Sequence, residues 1–368
     1  MPATPLHALH DAGQSLWLDY IDRTLVRSGE LARRIQGDAL TGMTSNPTIF
    51  EKALAQGTAY DEQLRALAGG RTPWAIFEAV ETDDVRDACD VFRATYDATK
   101  GGDGYVSIEV SPGSAHDAAA TVEEAHRLWA TVGRPNVMIK VPGTDAGCVA
   151  LRRLIADGLN VNVTLLFAVD AHAKVIDAHL AGLEDRAAAG KPLAHVASVA
   201  SFFVSRVDSE VDKRLDAIGT PAALALRGKA AVANARLAYA LFRERFAGPR
   251  WEALAAKGAQ VQRPLWASTG TKNAAYSDVL YVETLVGPHT VNTLPPATLD
   301  AFKDHGKVAR TVDADDAGAR RTIAEIEALG ISLSAVTDKL LVEGLQAFQK
   351  SFDSLLAGIE SKMGVLGR

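Results

Sequence analysis

Asn136-Val137-Met138-Ile139-Lys140-Val141-Pro142-Gly143-Thr144 reads as a strand covered on both faces, with one charge set into it. A continuous apolar run of this length is the pattern of a parallel strand between layers, where side chains on both faces are buried. Lysine is almost never fully buried without a reason. In a low-dielectric wall an ammonium is disfavoured, and the neutral amine is a nucleophile towards carbonyls. The same pattern also fits a lysine that snorkels to water or pairs with a carboxylate, so the strand alone leaves both readings open.

Seven further apolar segments accompany it: Ser15–Asp22, Gly42–Pro47, Gly104–Pro112, Asn160–Phe167, His195–Val204, Pro264–Thr269 and Thr290–Pro295. Helical pattern follows most of them. Ser28 is expected to cap a helix ahead of Leu31 and Ile35. Thr72 caps another that opens on Pro73 and is expected to restart at Asp83, with Val85, Cys89, Phe92 and Tyr96 inward. Thr144 caps a helix that ends near Gly158. Strands alternating with helices predict a parallel sheet, and eight such units predict closure into a single (β/α)8 TIM barrel, an α/β fold that typically needs about 250 residues. An open doubly wound sheet is the alternative, but no GxGxxG follows the first segment.

Residues 1–368 are expected to form one barrel domain, with 297–368 as a C-terminal helical extension of it. Helical pattern at 317–329 and 333–361 places Leu345, Phe348, Phe352, Leu355, Leu356 and Ile359 on one side. These helices are expected to pack on the barrel and close over its mouth.

Composition narrows the function. Apolar residues make up 48% and charged residues 23%, with 45 acidic against 39 basic, which is ordinary for a globular chain and leaves no basic stripe for nucleic acid. No apolar run of membrane-spanning length occurs, and the N-terminus has no secretory pattern. Cys89 and Cys148 form no CxxC and no metal spacing, so two buried free thiols in a reducing, cytoplasmic compartment are expected. The nine histidines show no HxxxH or HExxH, and no metal site is expected.

In a barrel the active site lies at the C-terminal ends of the strands. The polar residues assigned there are Asp19, Asn46, Glu109, Lys140, Asn162, Thr164, Ser201 and Ser268. Buried polar groups cost free energy unless partnered, so a ring of them around one lysine is poor core design and good site design. Schiff-base chemistry needs an amine, a carboxylate to take a β-hydroxyl proton, and a second group to manage the water of dehydration. Lys140, Asp19 and Glu109 fit those roles, Thr164 can hold the water, and Asn46 and Asn162 can bind substrate hydroxyls. Each has a plainer reading. Asp19 can satisfy a helix N-terminus, Glu109 can be only an ion-pair partner of Lys140, and Asn46 before Pro47 can be a turn residue. Asn162, Thr164 and Ser201 can be packing residues, and Arg206 an ordinary surface charge. Asp22 is read as structural.

Taken together the segments resemble the transaldolase family. The motifs are Thr44-Ser45-Asn46-Pro47-Thr48-Ile49-Phe50, Ser107-Ile108-Glu109-Val110, Ile139-Lys140-Val141-Pro142-Gly143-Thr144, Asn160-Val161-Asn162-Val163-Thr164-Leu165-Leu166-Phe167 and Ser198-Val199-Ala200-Ser201-Phe202-Phe203-Val204-Ser205-Arg206. Their order and intervals fit over roughly residues 15 to 360. Trp17-Leu18-Asp19-Tyr20-Ile21 and Ala267-Ser268-Thr269-Gly270-Thr271-Lys272-Asn273 look like its longer bacterial branch.

The resemblance implies transfer of a dihydroxyacetone unit from a ketose phosphate to an aldose phosphate in the non-oxidative pentose phosphate pathway, without metal or organic cofactor. The donor would be sedoheptulose 7-phosphate or fructose 6-phosphate, the acceptor glyceraldehyde 3-phosphate or erythrose 4-phosphate. Lys140 then matches the Schiff-base lysine, Asp19 the proton-transfer carboxylate, and Glu109 with Thr164 the water-handling pair. Asn46, Asn162 and Ser201 match donor-sugar contacts and Arg206 a phosphate-binding arginine. Many relatives carry a phosphate-binding arginine at the seventh strand; here Ser268-Thr269-Gly270-Thr271-Lys272 stands instead, and Lys272 offers a point cation without a guanidinium fork. The expected partners are sugar phosphates, with neither nucleic acid nor membrane, for a monomer or homodimer. The alternatives are a fructose 6-phosphate aldolase-like enzyme and a non-catalytic sugar-phosphate binding barrel.

Overall fold

The computed structural model describes residues 4–366 except 56 and 68. Eight strands form the barrel: β1 (Gln14–Asp19), β2 (Leu40–Thr44), β3 (Tyr105–Glu109), β4 (Val137–Pro142), β5 (Val161–Leu166), β6 (Ser198–Phe203), β7 (Gln262–Ala267) and β8 (Thr290–Leu294). They pair in parallel and in chain order, and β8 closes onto β1 through pairs such as Leu16 with Asn292. Nearly every strand residue is buried, as expected of a sheet filled within and covered by helices without. This is the (β/α)8 barrel that the strand pattern predicts.

The floor of the barrel is packed around Trp17. A Cβ on Gly42 would lie 2.5 Å from the Trp17 indole, so only glycine fits there. The indole Nε1 donates to Asp103 at 2.8 Å, and Arg263 donates to Ser15 at 2.7 Å. This polar plug leaves the opposite, C-terminal ends of the strands free to shape a site.

Two local expectations are corrected. Ser28 is not the cap of the helix Glu30–Gly37: Gly29, at φ +84°, takes that position, and Ser28 ends the short helix Arg23–Arg27. Asp22 caps that short helix by accepting from Leu25 N at 2.6 Å. The helix Pro73–Ala98 does not restart at Asp83 but runs unbroken from its Thr72 cap. The polar run that reads as a break is absorbed within it. Thr82 donates to the Glu78 carbonyl at 2.6 Å, Asp83 accepts from Arg86 at 2.6 Å, and buried Asp84 pairs with Arg23 at 2.8 Å. Both cysteines are free, but only Cys89 is buried; Cys148 is half-exposed on the outer helix Asp145–Asp157.

The helix Pro296–His305 packs on β1 and β8 as the eighth outer helix. Beyond it, Asp316–Ala328 lies on Ala230–Arg245, and the long helix Leu333–Leu366 crosses the barrel mouth over Pro47–Ala55 and Pro73–Ala98. Phe352 anchors the crossing between Trp74 and Phe77, with ring centroids 5.0 and 5.8 Å away. Thr48 and Ser351 share a hydrogen bond of 2.8 Å. Gly344 lets this helix come close, since a Cβ there would sit 2.9 Å from Leu165. Among the described residues no helix is long and apolar enough to cross a membrane.

Candidate active site

β4 delivers Lys140 to the barrel interior near the C-terminal end, where the chain register sets Glu109 of β3 directly beside it. The two side chains are buried and lie 3.1 Å apart. The Lys140 amine also donates to the Ser45 carbonyl at 3.1 Å. Ser45 is itself held by a bond from its hydroxyl to the Ser107 carbonyl, 2.8 Å long. The aromatic ring of Phe348, from the crossing helix, has its centroid 6.0 Å from the amine.

Asp19 ends β1 on the other side of the interior. It accepts from the Thr44 hydroxyl at 2.7 Å, and Thr44 and Thr293 are hydrogen-bonded at 2.7 Å. Burial pushes the Asp19 carboxyl above the ordinary range, against the pull of Lys140, the Thr44 bond and Lys272. Burial pushes the Glu109 carboxyl up as well; Lys140 opposes this and the charge of Asp19 adds to it. Both carboxyls are thereby brought closer to exchanging protons near neutral pH.

Lys140 and Asp19 open onto one cavity of about 290 Å³. Asn46, Thr164, Ser201, Arg206, Ser268 and Lys272 line it as expected from sequence. Arg206 stands in the first turn of the helix Ser205–Ile218 and stacks near Phe203, with its guanidinium 5.5 Å from the ring. Ser268 adopts a left-handed backbone at φ +55° and shares a 3.0 Å hydroxyl contact with Ser205. Strain of this kind gathers where a site dictates the backbone. The loop that carries Lys272 is tied down by Tyr276 to Asp212 (2.6 Å) and Tyr281 to Asp208 (2.8 Å). Among the described residues neither Arg206 nor Lys272 forms an ion pair, and the same is true of Lys52, a third cation lining the cavity. Among the described residues these three cations face one cavity without carboxylate partners, which leaves positive charge there uncompensated.

Two expected residues stand elsewhere. Glu109 touches Lys140 but does not line the large cavity. Asn162 lies one layer below. Its amide donates to Ser107 at 3.0 Å and its carbonyl accepts from Ser201 at 2.7 Å, so it orients Ser201 and does not itself face the cavity. The Asn46 side-chain carbonyl accepts from Ile49 N at 3.0 Å, the turn role, while the residue still lines the cavity. Among the described residues the buried Thr164 hydroxyl has no hydrogen-bond partner.

Sequence reasoning missed Thr44, Thr48, Lys52, Thr293 and Phe348. Thr48 and Lys52 are four apart on the helix Pro47–Ala55, so one face carrying both was readable. Phe348 was placed on one side of a helix expected to close over the mouth, but its approach to the amine depends on where that helix docks. Among the described residues no three His, Cys, Asp or Glu side chains gather as a metal-holding group.

Comparisons with known proteins agree with this arrangement. The family model described as Transaldolase/Fructose-6-phosphate aldolase matches residues 16–359. A transaldolase of Parafrankia sp. is 51% identical over 362 residues, covering 98% of each chain. A transaldolase of Mycobacterium ulcerans is 50% identical over 366 residues, covering 99% of this chain and 98% of its own. Transaldolase 1 of Streptomyces coelicolor is 51% identical over 367 residues, covering 99% and 96%.

Proposed function

The chain belongs to the transaldolase/fructose-6-phosphate aldolase family and is a transferase of the transaldolase kind, and we propose that it works through a Schiff base on Lys140. The observation that carries this reading is the Lys140 amine itself, buried beside Glu109 and facing the cavity that Asp19 and three unpaired cations share.

Lys140 adds to the carbonyl of a ketose phosphate to give a carbinolamine. Glu109, with the Thr164 hydroxyl, gives the departing hydroxyl its proton, and loss of water leaves an iminium. The iminium draws electrons, Asp19 takes the proton of the β-hydroxyl, and the α–β carbon–carbon bond breaks. An aldose phosphate leaves, and a dihydroxyacetone unit stays on Lys140 as an enamine. An incoming aldose phosphate then reverses each step. Arg206, Lys272 and Lys52, with Ser268, hold the phosphate and so fix the sugar along the cavity. Asn46 and Ser201 bind donor hydroxyls, and Asn162 sets the Ser201 side chain.

The reading extends to a cytoplasmic enzyme of the non-oxidative pentose phosphate pathway, supported by two free cysteines. It acts on sugar phosphates as a monomer or homodimer, residues 297–368 serving as an extension of the one barrel domain.

Borohydride reduction in the presence of fructose 6-phosphate tests the chemistry. A mass increase mapped to Lys140 is expected, and active protein with no adduct there would overturn it. Turnover of fructose 6-phosphate only when erythrose 4-phosphate is added is expected of a transferase. Equal turnover without the acceptor would make it an aldolase that releases free dihydroxyacetone.

A further inference from the structure

Among the described residues five that are not glycine adopt a left-handed backbone: Ala39, Lys100, Leu165, Ser268 and His289. Four of them stand in turns or loops. Leu165, at φ +60°, stands inside the strand β5. A side chain in this conformation crowds the following carbonyl oxygen, so glycine is the ordinary occupant. The pairing of β5 with β6 shows what the turn achieves. Val163 faces Ala200 and Leu166 faces Phe202, so Thr164 and Leu165 together face the single residue Ser201. This is a β-bulge, a device rare in parallel sheets and common beside active sites, where it re-aims a side chain.

The bulge is held from three sides. The Thr164 carbonyl accepts from Gly143 N at 2.7 Å. Leu166 fills the space beside Gly143, where a Cβ would lie 2.3 Å from it. Buried Leu165 meets the helix Leu333–Leu366 at Gly344, so closely that a Cβ there would lie 2.9 Å away. One turn further along, the same helix sets Phe348 over the Lys140 amine. Thr164, at the centre of the bulge, lines the cavity with Lys140, and its hydroxyl has no hydrogen-bond partner among the described residues. A buried hydroxyl without a protein partner is satisfied only by what enters the cavity.

We propose that Leu165 and Gly344 are positioning residues for Thr164. The left-handed turn at Leu165 aims the Thr164 hydroxyl into the cavity, and the long helix, seated on Leu165 through Gly344, keeps the turn from relaxing into regular strand. The proposal rests on the Schiff-base reading above, in which Thr164 handles the water of dehydration. Relaxed strand would set Leu165 opposite Phe202, changing the local twist at Thr164 and with it the heading of the hydroxyl. Neither Leu165 nor Gly344 touches the reacting atoms; both act through Thr164.

Rapid mixing with saturating fructose 6-phosphate, quenched by borohydride at set times, measures how fast the Lys140 adduct forms. Leu165→Ile keeps the apolar volume, but its β-branch opposes the left-handed turn; Leu165→Asn gives up apolar packing and accepts the turn. Leu165→Ile should form the adduct at least ten-fold more slowly than wild type. Leu165→Asn should be faster than Leu165→Ile, although it melts at a lower temperature; a residue that only packed would give the opposite order of rates. In a Thr164→Ala background, Leu165→Ile should slow the adduct less than two-fold further, because the group it aims is gone. If Leu165→Ile fails to fold, Gly344→Val gives the same test, since its side chain presses on Leu165 from the helix. It should cost at least ten-fold with Thr164 present and less than two-fold without it. A smaller loss in the variant tested overturns the proposal, as does a Leu165→Asn rate no higher than that of Leu165→Ile, or a further slowing beyond two-fold in Thr164→Ala. Absence of any adduct in wild type would instead sink the Schiff-base reading, and this proposal with it.

Discussion

Replacing Lys140 by Met should convert Glu109 from a partnered group into a lone buried carboxyl, and the consequence is measurable as stability against pH. The two charges lie 3.1 Å apart. At an effective dielectric constant near 20 a pair this close interacts by about 5 kcal/mol. Burial already raises Glu109 against the pull of Lys140, so removing that pull raises the carboxyl further. An unfolded glutamate titrates near ~4.3. A carboxyl raised on folding adds stability that is complete below that value and is lost as pH rises towards the folded pKa. Over the interval from pH 5 to pH 8 the loss is up to about 4 kcal/mol, at about 1.4 kcal/mol per pH unit. For a chain of 368 residues that corresponds to roughly 5 °C in Tm. Thermal melts at several pH values should therefore show Lys140→Met losing more than wild type across this range, by up to about 5 °C, with turnover absent throughout. Lys140→Met combined with Glu109→Gln should remove the extra slope. A single variant that runs parallel to wild type at every pH would refute the pairing argument.

Three further outcomes follow from the geometry. Arg206→Ala should raise KM for phosphorylated donors by roughly 10- to 100-fold, the ~1.5–3 kcal/mol of charge-assisted hydrogen bonds, with kcat less affected. Lys272→Ala and Lys52→Ala should have smaller effects of the same kind, and steady-state kinetics with unchanged KM in all three would place the phosphate elsewhere. Asp19→Asn should slow carbon–carbon cleavage at least ~10²-fold yet still give the borohydride adduct on Lys140; near-normal cleavage would remove Asp19 from the mechanism. His172 is buried with neither ring nitrogen bonded among the described residues, and burial lowers it to about 4. A base depressed on folding adds stability that is complete above about 6.5 and drains away as pH falls towards 4. His172→Phe should accordingly narrow the Tm difference between pH 7.5 and pH 5, and an unchanged difference would show that His172 does not contribute to acid lability.

The strands were legible because each is a short apolar run, and a barrel strand buried on both faces has no other signature. Lys140, Asp19 and Glu109 stood out for the same reason, as charges in runs that exclude charge. Asn162 was legible as an inward polar residue, but its layer was not, because depth depends on how strands stagger around the barrel. The misread start at Asp83 shows a related limit. Asp83 and Asp84 resemble a helix opening until Arg86 and Arg23 are seen to hold them, and Arg23 lies 61 residues from Asp84 in sequence. Phe348 belongs to contacts of still longer range, since its helix docks on the mouth through contacts such as those of Gly344, Ser351 and Phe352.

The cluster of Lys52, Arg206 and Lys272 also bears on how the enzyme should be handled at the bench. Three mutually repelling cations attract whatever small dianion the solution contains, so phosphate or sulfate buffers will act as competitive inhibitors and inflate apparent Michaelis constants. The same salts should shield the cluster and raise the melting point of the resting protein, which makes a preparation that looks sturdier in phosphate one that turns over sugar more slowly.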